Sequence, residues 1–172
     1  VRDIFLFCCF TGYDYSTTAA LTDKDLVADD DGALWIDTHR IKTKTAAKVK
    51  LLDIPLGIIK KYELRRDGNY LLPVMSNAKY NQYLKEIASA CEIEKNVTSH
   101  LARHTFATTV TYANGVSIES ISKMLGHTKI STTQIYARIV DKTVSNEMDK
   151  LAEKLNETSF GKNHFSGSRD SD

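Results

Sequence analysis

His100, Arg103 and His104 stand at i, i+3 and i+4 in the run His100-Leu101-Ala102-Arg103-His104. On a helix that spacing projects two imidazoles and a guanidinium from one face within a turn of each other, which is the outline of an anion site. Leu125-Gly126-His127 follows, and nine residues beyond that histidine stands Tyr136. Together these residue types suit attack of a phenol oxygen on a phosphodiester. A phosphoryl centre in transfer gathers negative charge on its non-bridging oxygens, and fixed cationic donors aimed at that charge are typically the largest catalytic contribution. Arginine fits because its planar fork bonds two phosphate oxygens at once. A free tyrosine has a pKa of about 10, so Tyr136 needs a base or a positive field, which His104 or His100 can supply.

Taken singly, each residue has an ordinary structural reading: a packed tyrosine, a histidine in a solvated turn, a helical His pair. His100 and His104 also match half of a zinc site, but Leu101 occupies the position where H-E-x-x-H carries its glutamate, so no metal is expected. The conjunction is what singles the set out.

The elements that must position these residues can be read from the apolar spacing. Ile4, Phe5, Cys8 and Cys9 share a helical face over residues 2–11, which Gly12 should end. A helical turn over 17–21 leads to the acidic turn Asp29-Asp30-Asp31-Gly32, and residues 34–38 and 48–52 fit strands of a small antiparallel sheet of two or three strands. The hairpin loop between them carries Lys42 and Lys44. Arg40 lies two residues before Lys42, and in an extended strand residues two apart share a face. Pro55 lies at the start of a helix running from Ile54 to about Arg65. Ser76 can cap the next, with Tyr80, Leu84, Ile87 and Cys91 inward and Lys79 and Lys85 left for solvent or a DNA backbone. Thr98 or Ser99 caps the helix of the His-Arg-His run, with Phe106, Val110 and Ala113 towards the core before Asn114-Gly115. Ser117 caps a helix that Gly126 stops. Ser131, Thr132 and Thr133 can cap a short one that returns Tyr136 to the same place. An amphipathic helix is expected from Asp141 to Leu155, with Val144, Met148, Leu151 and Leu155 on one face, and residues 156–172 read as a flexible tail.

At His100, Arg103 and His104 (H-x-x-R-H), at Leu125-Gly126-His127 and at Tyr136 the sequence resembles the tyrosine recombinases, the phage integrase family. The run Arg103-His104-Thr105-Phe106-Ala107-Thr108 looks like the branch carried by conjugative transposons. The match covers roughly residues 1–155. It implies an α+β catalytic domain, mostly helical with a small antiparallel sheet, and a site-specific recombinase or integrase that cuts and rejoins DNA through a covalent 3′-phosphotyrosyl intermediate on Tyr136. By the same resemblance Arg103, His127 and His100 hold the scissile phosphate and His104 supports the site or its proton transfers. Arg40-Ile41-Lys42-Thr43 resembles the family's hairpin bearing a catalytic lysine, which implies that Lys42 protonates the leaving 5′ oxygen, with Lys44 as runner-up. The chain departs from the pattern at Thr11-Gly12-Tyr13-Asp14-Tyr15-Ser16-Thr17: Asp14 stands where the first catalytic arginine is expected, and Thr17 where an acid is expected. That exchange of cation for anion leaves two readings open, a working enzyme in which Arg40 replaces the lost cation, or a degenerate relative that binds DNA or a partner without cutting.

The 172 residues, 42% of them apolar, allow one domain with a sizeable core. Lys plus Arg number 23 against 22 Asp plus Glu, so a DNA-binding surface must be a local patch. Lys44, Lys79 and Lys85 are its candidates. Three cysteines without metal spacing suit a reducing cytoplasm, and the sequence contains neither a signal peptide nor an apolar run long enough to span a membrane. A start at Val1 in mid-helix pattern suggests a fragment of a longer protein whose N-terminal DNA-binding domains lie elsewhere. The resemblance implies double-stranded DNA as partner, a tetrameric synapse, no cofactor, and a bacterial cytoplasmic setting.

Overall fold

The computed structural model describes residues 1–66, 68–137 and 143–157, and it divides into two compact units, Val1–Ile139 and Val140–Asp172. In the first unit, α1 (Arg2–Thr11) buries Ile4, Phe7, Cys8 and Cys9, and Gly12 ends it in the left-handed conformation at φ 73°. Helix α2 (Tyr15–Ala20) begins at Asp14, whose carboxylate accepts the Thr17 amide at 2.9 Å. A three-stranded antiparallel sheet follows in the order β1 (Leu26–Ala28), β2 (Leu34–His39), β3 (Ala46–Lys50), with Ile36 opposite Val49. Its inner face alternates as a half-buried sheet should, Ala47 and Val49 buried while Ala46, Lys48 and Lys50 are exposed.

Helices α3 (Asp53–Tyr62), α4 (Asn77–Ala90), α5 (Ser99–Thr105), α6 (Ile118–Met124) and α7 (Ser131–Ala137) complete this unit. The core joins α1, the sheet, α5 and α6 through Phe7, Tyr13, Leu21, Ile36, Leu71, Ala102, Phe106, Ile121 and Leu125. The mostly helical α+β architecture expected from the sequence is therefore present, with the sheet at three strands. In the second unit α8 (Thr143–Glu157) exposes Met148 and Leu151. Residues 158–172, most of the expected tail, lie outside the described residues, as do 141 and 142 at the expected start of the last helix. Among the described residues no helix is long and apolar enough to cross a membrane.

Three expectations are corrected. On α4 the buried set is Tyr80, Leu84 and Ala88, while Ile87 is 40% exposed and Cys91 is exposed; the i+4 step keeps the inward face one residue further along than i+3. After α5 the backbone widens into a π-helix over Phe106–Thr111, which rotates the face so that Phe106, Ala107 and Thr111 are buried and Ala113 is exposed. The strand face that Arg40 and Lys42 were expected to share is absent: Lys42 lies in the hairpin loop as expected, but so does Arg40, because Lys44 adopts φ 56° and its amide closes the loop on the Arg40 carbonyl at 2.8 Å.

Candidate active site

Arg103, projecting from α5, is 2% exposed and the largest of the fully buried side chains. It donates from Nη1 to the Gly12 carbonyl at 2.7 Å and from Nη2 to the Leu125 carbonyl at 2.6 Å, and Nη2 lies 3.0 Å from His127 Nε2. A buried cation needs such partners, since an isolated one would be costly to desolvate. Burial and the nearby Arg40 lower its pKa to about 10, which still leaves it a cation at neutral pH. Gly12 is required twice over: its φ is positive, and a Cβ there would overlap the Phe106 ring and stand 2.9 Å from Leu125 Cδ2. The close approach of chain to chain at Gly12 is what brings its carbonyl within reach of the guanidinium.

Asp14 and Arg40 form an ion pair at 2.9 Å, their side chains only 9% and 14% exposed. Asp14 keeps a second role through its other oxygen, which accepts from the Thr17 amide and the Ser16 hydroxyl. Burial works to raise the pKa of this carboxyl, but the Thr17 amide, Arg40 and the Ser16 hydroxyl together hold it well below the usual carboxylate range. Tyr13, fully buried, reaches the Ile36 and Ala47 carbonyls at 3.1 Å and so fastens this segment to β2 and β3. The stem of Arg40 crosses Gly126, where a Cβ would stand 3.0 Å from Arg40 Cδ and 3.1 Å from the Ala46 carbonyl oxygen. The glycine of Leu-Gly-His thus both turns the chain at φ 60° and makes room for the hairpin.

His127 is half-buried, its Nδ1 2.8 Å from Thr133 Oγ1. Burial, followed by the charges of Arg103 and Arg40, pushes its pKa down to about 4, so it is neutral at pH 7. Tyr136 is 3% exposed; burial pushes its phenol up, and Arg103 and Arg40 pull it back towards ionisation. Its ring meets His104 edge-on at 5.4 Å, and His104 meets His100 at 4.5 Å. His100 is the solvent-facing member of that row. Partial desolvation, His104, Arg103 and Lys42 lower its pKa while Asp14 opposes them. Lys42, also exposed, opens with His100, Asp14 and Ser99 onto one cleft of about 260 Å³.

The sequence-derived candidates Arg40, Lys42, His100, Arg103, His104, His127 and Tyr136 are therefore gathered around the junction of α5, the hairpin and α7. Lys44 is exposed at the hairpin turn. Lys79 is exposed on α4, whose first residue Asn77 lines the cleft, and Lys85 lies in a separate depression beside Glu92, Glu94 and Lys95. Among the described residues no group of three or more His, Cys, Asp or Glu is arranged to hold a metal ion. Sequence reasoning missed the Gly12 and Leu125 carbonyls and the side chain of Thr133. The first two carry no residue-type signal; Thr133 carries one, a hydroxyl three residues before the tyrosine.

The sequence profile of the phage integrase family matches residues 2–143. The chain belongs to the phage integrase family. Among relatives in that family, tyrosine recombinase XerD of Listeria monocytogenes serotype 4b (strain F2365) is 35% identical over 101 residues, covering 57% of this chain and 34% of that protein. A tyrosine recombinase of Thermosipho africanus (strain TCF52B) is 32% identical over 123 residues, covering 65% of this chain and 42% of that protein. The chain thus spans less than half the length of these phage integrase relatives. Among solved structures, the catalytic domain of bacteriophage HP1 integrase superimposes with a TM-score of 0.60 at 23% identity over 91% of this chain and 82% of that one. The Tn1549 transposon integrase, solved in complex with circular intermediate DNA, gives 0.65 at 20% identity over 87% and 59%. The fold is that of the phage integrase catalytic domain.

Proposed function

We propose that this chain is the catalytic part of a site-specific DNA recombinase, an integrase of a mobile element acting on double-stranded attachment sites in the bacterial cytoplasm. The observation that carries the reading is the grouping of two guanidiniums with His127 and the phenol of Tyr136: Arg103 lies 3.0 Å from His127, Arg40 crosses the adjoining Gly126, and both cations act on Tyr136. In the proposed reaction Tyr136 Oη attacks the scissile phosphorus, the new O–P bond forms as the P–O5′ bond breaks, and the product is a 3′-phosphotyrosine. The phenolic proton leaves towards His104, with His100 behind it, and Lys42 supplies a proton to the departing 5′ oxygen. Arg103, Arg40, His127 and His100 hold the phosphate oxygens, where fixed donors stabilise the transition state more than the ground state. Lys44 and Lys79 contact the DNA backbone near the cleft, and Lys85 further along α4. Reversal of the same step by a second 5′ hydroxyl rejoins the strands without a cofactor. Four protomers would assemble on paired sites.

Asp14 favours the second reading, a DNA- or partner-binding relative that no longer cuts. The ion pair weakens it: the charge of Asp14 is committed to Arg40 and to the start of α2, so Asp14 orients a cation at the pocket instead of facing the phosphate alone. The test is incubation with nicked duplexes of randomised sequence, in which loss of the short fragment beyond the nick traps the covalent state. A denaturation-resistant protein–DNA band supports the enzyme; DNA binding without that band supports the degenerate relative.

A further inference from the structure

We propose that Thr133 is a positioning residue for this site, its buried hydroxyl accepting the Nδ1–H that Arg103 imposes on His127 and so holding that ring and tying the helix of Tyr136 to the phosphate pocket. The proposal rests on the recombinase reading above for its consequence in catalysis, but not for its geometry. Four other helical threonines satisfy their hydroxyls by bonding back to a carbonyl of the preceding turn, Thr11 to Phe7, Thr105 to Leu101, Thr108 to His104, Thr111 to Phe106 and Ala107, whereas on α2 Thr18 meets Cys8 Sγ and Thr17 accepts from the Ile41 amide. Thr133, 0% exposed, makes no such bond among the described residues and instead meets His127 Nδ1 at 2.8 Å. A buried hydroxyl kept where a valine would fill the same volume needs a partner, and here the partner belongs to the site.

The direction of these bonds is determined. Arg103 Nη2 has only hydrogens to offer, so His127 Nε2, 3.0 Å away, must accept. The neutral ring then carries its proton on Nδ1, and Nδ1–H donates to Thr133 Oγ1. If a phosphate oxygen takes over the Nη2–H of Arg103, Nε2 is released and becomes a phosphate donor once it picks up a proton from solvent. Nδ1–H stays on Thr133 in both states. Thr133 lies one turn before Tyr136 on α7, so the same bond sets the distance between the phenol's helix and the ring. Without the hydroxyl Nδ1–H is left buried with no acceptor, a cost that drives part of the population to the other tautomer, which turns Nε2–H against the guanidinium and loosens both.

The test compares Thr133→Val, which keeps the shape, with Thr133→Ser, which keeps the hydroxyl. Protein labelled with ¹⁵N-histidine at neutral pH reports the tautomer of His127 directly, since protonated and bare ring nitrogens resonate far apart. We expect the Nδ1–H form in the wild type and in Thr133→Ser, and a mixture containing the Nε2–H form in Thr133→Val. With the nicked duplexes of randomised sequence, covalent complex should form on the order of tenfold more slowly in Thr133→Val at unchanged DNA affinity, and Thr133→Ser should recover to within about twofold, the scale of one hydrogen bond to a reacting group. A His127 tautomer unaltered by Thr133→Val overturns the proposal, as does an altered tautomer with an unaltered rate. If the wild type forms no covalent complex, the recombinase reading fails while the tautomer still decides the role of Thr133; if valine is not folded, the serine variant's tautomer decides it, a shift to Nε2–H refuting it.

Discussion

Removing the Arg40 side chain separates a phosphate clamp from an ordinary DNA contact. In Arg40→Ala the carboxylate of Asp14 loses its ion-pair partner but keeps the Thr17 amide and the Ser16 hydroxyl, so the fold should lose about 1–3 kcal/mol, less than the full cost of stranding a buried charge. Catalysis should suffer more. A donor lost from a preorganised anion site slows the chemical step by about 10²–10³-fold. DNA affinity, built from many phosphate contacts, should fall less than about tenfold, with the slope of log K against log salt becoming shallower by about 0.9, the share of one phosphate. The assay pairs single-turnover covalent-complex formation with binding measured across a salt series, and a thermal melt confirms that the variant is folded. Equal losses of binding and cleavage would refute the reasoning, marking Arg40 as a backbone contact and leaving the site one cation short.

Arg103→Lys keeps a charge but cannot reproduce three bonds made at once to Gly12, Leu125 and His127, so cleavage should drop and the melting temperature fall; cleavage at the wild-type rate would remove Arg103 from the clamp. His127 titrates at about 4 in the fold against 6.5 for a free side chain, so the unfolded chain binds more protons between those values. Its contribution to stability is complete above 6.5 and is lost as pH falls towards 4; urea midpoints should therefore decline more steeply from about pH 7 to about pH 5 in the wild type than in His127→Gln, and parallel curves would contradict the assignment. For the amphipathic helix α8, with Met148 and Leu151 exposed, the family resemblance implies docking on a neighbouring protomer and the alternative is packing on its own domain; docking in trans predicts that truncation after Arg138 abolishes cooperative assembly on DNA while leaving single-protomer binding, and unchanged cooperativity would refute it.

His100, Arg103, His104, His127 and Tyr136 were legible in the sequence because each bears its own chemistry and because helix spacing and glycine stops fix which faces meet. Gly12, Gly115 and Gly126 all take the left-handed conformation that their places after helices required. Arg40 was legible as a cation near Lys42, although a tight loop and not a shared strand face brings it to the pocket. The partners of Arg103 could not be read, since two are backbone carbonyls set by how α1 and α6 approach α5, a matter of tertiary packing. The π-helix after α5 was equally hidden: Phe106-Ala107-Thr108-Thr109-Val110-Thr111 has the composition of any α-helical or extended stretch, and only packing decides its wider turn. Thr133 was legible only as one of three possible caps of its helix, because a buried threonine on a helix ordinarily bonds its own backbone.

The account turns on the phenol of Tyr136, 3% exposed beside His104, as the nucleophile. Tyr136→Phe removes one oxygen and preserves the packing, so the decisive measurement is denaturing electrophoresis of wild type and variant with the same nicked duplexes, alongside their DNA affinities. The account predicts equal affinity, a covalent band in the wild type and none in the variant; a covalent band that persists in Tyr136→Phe would contradict it.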